Sequence, residues 1–379
     1  MTATLRRVVG SLLVVGLSGT ELTPMERAWL RLVRPGGIIL FKRNIADAQQ
    51  TRALLHEATA LCAKRSFRCV DVEGGTVDRL RDALAPMPSA MDVARVARQL
   101  AKPGLAREHG DLIARGVQAF GFNTTLAPVL DLALLESAKV MGTRVTAAEA
   151  ESVTAYAREF LAGLAGRGVA GCGKHFPGLG GGRLDSHMET PSIDRTWQQL
   201  WREDLEPYRA LRNALPMVMV NHAAYPATQA KSTPASVSRF WITSLLRKRI
   251  GYRGIVFSDD LEMGGILQSM SIEDAALAAM RAGMDLLEIC HSPELILRAY
   301  EALVAEGERS SAFRRMLTTR AQQMSRKRAR LFASGIPAAL TTRQYEALQQ
   351  RVLRFREQAL KYSSATDTPG RNTTAVETA

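Results

Sequence analysis

The chain has 379 residues, of which 46% are hydrophobic, and a formal net charge of +13 at pH 7. This length suits one large domain or two ordinary ones, and the absence of an 18-residue apolar run excludes a membrane-spanning helix. Four cysteines without Cys-x-x-Cys spacing argue against a disulfide framework or a zinc ribbon, so we expect a protein of a reducing compartment, the cytoplasm.

The first apolar segment has two interpretations. Met1–Arg7 is basic and Val8–Leu17 is apolar, a combination that resembles a weak secretory signal. However, two glycines and a serine interrupt the apolar run, and no small-x-small cleavage site follows it. Because Leu12–Leu17 also fits a buried strand, we favour the strand.

Short apolar runs recur along the chain, and each is followed by a helical pattern. Continuous apolar runs are typical of strands buried on both faces. The eight predicted strands are Leu12–Leu17, Gly37–Phe41, Arg68–Val72, Thr124–Leu130, Val169–His175, Met217–His222, Gly254–Ser258 and Met284–Ile289. Helical spacing is clearest in Met25–Val33 (after Thr23-Pro24), Ala46–Cys62, Ala147–Leu164, Ser238–Arg249 and Ile272–Ala282. This alternation predicts an α/β fold, a (β/α)8 TIM barrel with additional C-terminal helices; a doubly wound open sheet is the alternative.

The carboxyl-terminal part has helical patterns alone. We predict a barrel domain over residues 1–306, a helical extension over 307–362 and a disordered tail over 363–379. Eight Lys or Arg and no acidic residue lie between Arg309 and Arg330. A solvated helix face is the simpler interpretation of this run, and attraction to an anionic partner is the alternative. No nucleic-acid-binding signature accompanies the run, so no nucleic acid partner is expected.

Charged and imidazole side chains end four of the predicted strands. They are Asp71 near the end of strand three (followed by Glu73), Lys174-His175 in strand five, Asn221-His222 in strand six and Asp259-Asp260 after strand seven. In a (β/α)8 barrel, the carboxyl ends of the strands form the mouth that carries catalytic side chains. One such residue is often a structural cap, whereas four groups together favour an active site.

The segment Lys174–Pro191, KHFPGLGGGRLDSHMETP, is the densest in glycines and polar residues. Its four glycines in five positions predict a mobile loop, which then presents Asp185 and His187. A turn at Ser186 could bring this carboxylate to the imidazole ring, which would make the histidine a proton donor near neutral pH. Metal binding through His175, Asp185 and His187 is an alternative that lacks the spacing of zinc motifs, and a structural His–Asp hydrogen bond is another.

Several segments carry a family resemblance. Lys174–Pro191 resembles the signature of bacterial β-N-acetylhexosaminidases of glycoside hydrolase family 3, in which KHFPGHG is followed by four residues, DSH and a proline. DVEGGTVDRLR (Asp71–Arg81), LAPVLDL (Leu126–Leu132) and GIVFSDDLEMGG (Gly254–Gly265) are similar to further segments of that family, in matching order. The similarity runs from about residue 8 to 305.

The resemblance implies a retaining exo-glycosidase that removes terminal β-N-acetylglucosamine from peptidoglycan fragments through a covalent glycosyl-enzyme. By the match, Asp259 is the nucleophile, His187 is the acid/base and Asp185 is its partner. The family's sugar-binding residues correspond to Asp71, Arg79, Arg144, Lys174 and His175. The resemblance implies neither a metal nor another cofactor.

Three positions depart from the family pattern. Leu179 stands in place of a histidine, Thr76 of an arginine and Val72 of a glutamine. None of these removes a proposed catalytic group, but Leu179 lies in the glycine-rich segment and could alter its closure. A sugar-binding barrel with little turnover therefore stays an alternative, as does a related β-glycosidase or phosphorylase with a different sugar.

Overall fold

The computed structural model describes residues 2–182 and 191–361. Its strands are β1 (Leu13–Val15), β2 (Gly37–Leu40), β3 (Phe67–Val70), β4 (Val72–Gly74), β5 (Val77–Asp78), β6 (Thr124–Thr125), β7 (Ala170–Phe176), β8 (Met217–Val220), β9 (Ile255–Asp260) and β10 (Leu286–Ile289). Eight of them form a closed barrel in the order β1-β2-β3-β6-β7-β8-β9-β10, and β10 pairs with β1. Every pair in this barrel is parallel. The predicted (β/α)8 barrel is therefore confirmed over an open sheet.

Helices cover the barrel. They are α1 (Thr2–Gly10), α2 (Pro24–Val33), α3 (Ala48–Ala60), α4 (Ala90–Gln99), α5 (Gly104–Ala119), α6 (Ala138–Met141), α7 (Ala150–Ala165), α8 (Trp197–Gln199), α9 (Glu206–Ala210), α10 (Gly264–Leu267), α11 (Ile272–Ala282), α12 (Pro293–Arg309), α13 (Ser311–Leu331) and α14 (Thr342–Leu360). Leu200–Asp204 and Phe240–Arg249 are π-helical, and short 3-10 turns lie at Lys42–Asn44, Leu135–Ser137, Gly142–Arg144 and Ala235–Val237. As Thr23-Pro24 predicts, Thr23 caps α2 in a capping box with Glu26. None of the helices in the described ranges combines the length and hydropathy that crossing a bilayer requires.

The third and fourth barrel strands are shorter than the sequence predicts. β3 ends at Val70, and Val72 begins β4, which pairs antiparallel with β5 as a small hairpin beyond the barrel. Gly74 and Gly75 make its turn at φ values of 87° and 65°, a backbone conformation that glycine adopts readily. β6 has two residues because Pro128, shortly after it, has no N–H for a regular ladder.

The amino-terminal and carboxyl-terminal helices pack on the barrel. The sequence allows either a signal or a strand in the first segment; α1 occupies its basic start, and β1 lies within the favoured strand, Leu12–Leu17. The predicted boundary at residue 306 falls inside α12, which continues to Arg309. Glu306 pairs with Arg281 of α11 at 2.7 Å, so this part of α12 is joined to a barrel helix. The predicted disordered tail, 363–379, lies outside the described residues.

The basic helix α13 lies across the amino-terminal end of the barrel. Arg328 Nη1 donates to the carbonyl of Ser11, just before β1, at 2.9 Å. Lys327 Nζ donates to the carbonyl of Gly254, just before β9, at 2.7 Å. Part of the basic run therefore satisfies backbone carbonyls at the end of the barrel opposite its mouth.

Candidate active site

The carboxyl ends of the barrel strands collect the polar residues that the sequence singled out. Lys174 and His175 are among the last three residues of β7, and Asp259 and Asp260 end β9. Asp71 follows β3 directly. Because all eight strands are parallel, these side chains share one rim of the barrel.

A buried ion network joins β7 to the β4–β5 hairpin. Lys174 Nζ lies 2.7 Å from Asp71 Oδ1 and 2.6 Å from Glu73 Oε1. Arg144 binds the same Glu73 carboxylate through Nε at 2.8 Å and Nη2 at 2.9 Å. Lys174 and Glu73 are each 3% exposed, so the network is shielded from solvent. Two cations and two carboxylates thus hold one another in fixed positions.

The charges of this network set the protonation states of its members. Burial alone would raise the pKa of Glu73, but Arg144 and Lys174 outweigh it and lower the pKa to about 2. Burial likewise would lower the pKa of Lys174, whereas Asp71 and Glu73 raise it above its usual value. Lys174 is therefore a cation and Glu73 an anion at neutral pH.

His175 is held from two sides. Its Nδ1 lies 2.6 Å from Asp131 Oδ2, and its Nε2 lies 3.3 Å from Arg144 Nη2. Since the arginine can only donate, the two contacts together assign the proton of the neutral ring to Nδ1. The other oxygen of Asp131 accepts from the backbone N–H of Leu179 at 2.7 Å. Asp131 therefore fixes both the imidazole and the start of the glycine-rich segment.

Asp259 and Asp260 have different surroundings. Asp259 Oδ1 accepts from the backbone N–H of Asp260 at 3.0 Å, and the side chain is half-buried at the rim. Asp260 turns to its own loop, where Oδ1 accepts from the N–H of Glu262 at 3.0 Å and Oδ2 lies 3.4 Å from His291 Nε2. The carboxylate of Asp260 is thus engaged in loop structure.

Arg79 follows β5 and stands beside Asp71. Its backbone N–H donates to the Asp71 carbonyl at 3.1 Å, and its guanidinium carbon lies 5.8 Å from the centre of the Phe41 ring. Its Nε has no hydrogen-bond partner among the residues that the structure describes. Arg144 differs, because Glu73 already occupies its Nε and Nη2, so a sugar contact from Arg144 must use its Nη1 edge.

The glycine-rich loop begins and ends at this rim. Gly182 and Ile193 form an antiparallel bridge, and Ser192 forms a parallel bridge with Ala224. Asp185 and His187 lie outside the described residues. On the far side of the loop, a Cβ built on Gly265 would lie 3.0 Å from Pro191 Cδ, so the loop's end contacts the segment that follows Asp259.

The described part of the rim contains one group of side chains with metal-ligand chemistry, Asp260, Glu262 and His291. The carboxylate of Glu262 accepts from the backbone N–H groups of Cys290, His291 and Ser292. This carboxylate is therefore used to shape the loop after β10. Both ring nitrogens of His175 are engaged by protein groups, which disfavours the metal site considered with Asp185 and His187.

Glu288 of β10 is a buried carboxyl beneath the same rim. It is 3% exposed, its Oε1 lies 3.2 Å from Cys290 Sγ, and its Oε2 has no partner among the described residues. Burial raises its pKa well above the usual range, and the charges of Asp260, Asp71 and Asp259 raise it further. Both effects favour the protonated form of Glu288.

Replacing Glu288 with glutamine is expected to stabilise the protein increasingly as the pH rises. When the pKa of a carboxyl is higher in the folded than in the unfolded chain, the folded protein becomes less stable as the pH rises above the unfolded value of 4.5. The melting temperatures of wild type and Glu288→Gln should therefore agree near pH 4 and diverge by pH 8, with the variant higher. Glu308→Gln, at an exposed position of α12, is the control. A pH-independent difference between wild type and Glu288→Gln would contradict the raised pKa of this buried carboxyl.

Sequence reasoning missed Glu73, Asp131 and Glu288 as members of the site. The first two lie in the quoted segments DVEGG and APVLDL, directly beyond predicted strands. The rule that identified Asp71 and Asp259 could therefore have found them. Glu288, a single acid inside the apolar strand LLEI, was a signal too, because a carboxyl in a buried strand is uncommon.

A closed (β/α)8 barrel whose rim collects buried charged side chains has the architecture of a barrel enzyme. The family model described as glycosyl hydrolase family 3 N terminal domain matches residues 4–324. A beta-hexosaminidase from Idiomarina loihiensis is 36% identical over 302 residues, which are 80% of this chain and 90% of that protein. One from Bordetella avium is 39% identical over 286 residues, 74% of this chain and 81% of that protein.

Solved structures agree. A family 3 beta-N-acetylglucosaminidase from Paenibacillus superposes with a TM-score of 0.82 at 30% identity, covering 93% of this chain and 68% of its own. The protein NagZ from Neisseria gonorrhoeae, in complex with N-trifluoroacetyl-D-glucosamine, superposes with a TM-score of 0.75 at 29% identity, covering 91% and 97%. The chain belongs to glycosyl hydrolase family 3, as the sequence motifs predicted, and it is a glycoside hydrolase of the β-N-acetylhexosaminidase type.

Proposed function

We propose that this protein is a retaining exo-β-N-acetylglucosaminidase. Asp259 attacks the anomeric carbon of a terminal sugar and forms a covalent glycosyl-enzyme, which water then hydrolyses. His187 protonates the departing oxygen and later takes a proton from the water, and Asp185 orients its ring and stabilises the imidazolium. Asp71, Arg79, Arg144 and Lys174 bind the sugar, and His175, whose ring nitrogens contact Asp131 and Arg144, lines the same subsite.

The observation that carries this proposal is the contact between Pro191 and Gly265. Retaining hydrolysis needs the two reacting groups about 5 Å apart across the scissile bond. His187 is four residues before Pro191, and Asp259 is six residues before Gly265. Because each residue spans at most about 3.6 Å, the tethered loop has the length to bring the imidazole over the β9 carboxylate.

The buried network supports recognition of a polar sugar. The ammonium group of Lys174 has three protons, and Asp71 and Glu73 use two of them. The Asp71 carboxylate can also accept from a sugar hydroxyl, and the half-buried Arg79 stands beside it. These groups are already fixed by their mutual contacts, so binding a sugar requires little reordering.

The substrate that we propose is a peptidoglycan fragment with a terminal N-acetylglucosamine, hydrolysed in the cytoplasm. The support is the sequence resemblance and the relatives named beta-hexosaminidase and NagZ. The four cysteines are free and buried, as suits a reducing compartment.

A panel of aryl glycosides tests the reaction. The wild-type protein should release nitrophenol fastest from the β-N-acetylglucosaminide, more slowly or not at all from the β-glucoside and the α-anomer. The first sugar product, observed by proton NMR, should be the β-anomer. Added inorganic phosphate should leave the product as free N-acetylglucosamine.

Three outcomes would contradict the proposal. Binding of N-acetylglucosamine without turnover would favour a sugar-binding barrel. A sugar 1-phosphate formed with phosphate would show a phosphorylase. An α-anomeric first product would show an inverting reaction, which a direct attack by Asp259 cannot give.

A further inference from the structure

One hairpin carries two of the proposed sugar-binding residues, Asp71 and Arg79, together with Glu73 of the buried ion network. Asp71 precedes β4, Glu73 lies within it and Arg79 follows β5. The hairpin lies beyond the barrel strands. Its two strands, β4 and β5, pair only with each other and form a separate two-stranded sheet. An isolated two-stranded hairpin is marginally stable in water, so its position depends on what packs behind it.

The support loop, residues 80–88, lies behind this hairpin. The carboxylate of Asp78 accepts from the backbone N–H of Leu80 at 3.1 Å and from that of Met87 at 2.9 Å. Gly75, in the hairpin turn, donates to the Met87 carbonyl at 3.1 Å. The two ends of the support loop are therefore tied to the hairpin.

Helix α14 binds the middle of the support loop. Tyr345 donates its hydroxyl hydrogen to the carbonyl of Ala83, and Gln349 Nε2 donates to the carbonyl of Leu84 at 2.7 Å. The helix begins at Thr342, after residue 324, where the match to the family model ends. Four residues of α14 form its buried apolar face: Leu348, Val352, Phe355 and Ala359.

A second path leads from α14 to the hairpin. The ring of Phe355 lies with its centre 5.9 Å from that of His109, which is fully buried in α5. His109 in turn adjoins the hairpin, because a Cβ built on Gly74 would lie 3.3 Å from His109 Nε2 and 2.0 Å from the carbonyl oxygen of Pro88. The backbone beside Glu73 thus abuts both the support loop and a side chain that α14 covers.

We propose that α14 is a buttress that holds the Asp71–Arg79 hairpin in its sugar-binding position, with Tyr345 and Gln349 as positioning residues. The inference rests on the proposed function, because it assigns the hairpin to the sugar subsite. Loss of the two hydrogen bonds lets the support loop and hairpin sample other positions. Sugar binding then weakens, while Asp259, on the separate strand β9, keeps its place.

The test is the double variant Tyr345→Phe/Gln349→Met, which removes both hydrogen bonds and preserves the bulk of the side chains. With the aryl β-N-acetylglucosaminide, its KM should rise by ~3–10-fold and its kcat should stay within ~2-fold of the wild type, as expected for two lost hydrogen bonds. Amide hydrogen exchange of residues 80–88 should accelerate. Gln350→Met, at an exposed position of the same helix, is the matched control. It should leave KM and the amide exchange of residues 80–88 unchanged.

The outcomes separate the two proposals. A wild-type protein that does not hydrolyse this substrate overturns the proposed function. If the wild type is active and the double variant has an unchanged KM, the proposed role of α14 is overturned and the proposed function is not. A variant that loses thermal stability and kcat in proportion, with KM constant, also overturns it, because that pattern reports a loss of folded enzyme.

Discussion

Asp259→Ala is expected to lower kcat for the aryl β-N-acetylglucosaminide by at least ~10⁴-fold, because removal of a nucleophile eliminates the covalent route. The free energy of unfolding should change little, since within residues 2–182 and 191–361 the Asp259 side chain accepts a hydrogen bond from the neighbouring N–H of Asp260 alone. Steady-state kinetics and urea denaturation measure the two quantities on the same preparation.

Asp260→Asn is the matched control for this prediction. It is the adjacent aspartate, but its carboxylate accepts from the N–H of Glu262 and faces His291. The asparagine oxygen can keep the contact with Glu262, so activity should fall by less than ~10-fold. An inactive Asp260→Asn beside an active Asp259→Ala would reverse the assignment of the nucleophile.

Lys174→Met is expected to destabilise the protein by about 3–5 kcal/mol, because it removes the buried cation that Asp71 and Glu73 share and leaves Asp71 without that contact. Lys174 is 3% exposed and contacts both Asp71 and Glu73. The remaining charge of Arg144 supports Glu73 but does not replace the contact with Asp71. The variant should also lose sugar binding, which appears as a higher KM where enough folded enzyme remains.

The control for this substitution is Lys42→Met. Lys42 pairs with Asp82 at 3.0 Å, but the two side chains are 57% and 68% exposed. A solvent-exposed pair of this kind contributes less than ~1 kcal/mol. Chemical denaturation of both variants compares the same substitution in buried and exposed settings. Equal losses of stability would contradict the structural importance of the buried network.

The fold could be predicted because its pattern is repetitive. Eight apolar runs alternate with amphipathic segments, and each predicted run overlaps a strand of the barrel. The sequence did not reveal the β4–β5 hairpin, since VEG and VD are too short to show an alternating pattern. It also overestimated the fourth strand, where Pro128 interrupts an otherwise apolar run.

The sequence could predict which residues lie at the rim of the site but not which side chains contact one another there. Strand ends identify which side chains reach the rim, as they did for Asp71 and Lys174. Hydrogen-bond partners depend on side chains far apart in the chain, so the pairing of Arg144 with Glu73 has no local signal. Asp131 was overlooked although it directly follows the predicted strand Thr124–Leu130, and its carboxylate holds His175.

Covalent trapping tests the central claim most directly. A 5-fluoro-N-acetylglucosaminyl fluoride should add one sugar to the wild-type protein, and peptide mass spectrometry should locate the sugar on Asp259. The Asp259→Ala variant should remain unlabelled. A sugar attached to another carboxylate, or rapid turnover of the reagent with no adduct at any time, would contradict a glycosyl-enzyme formed on the β9 aspartate.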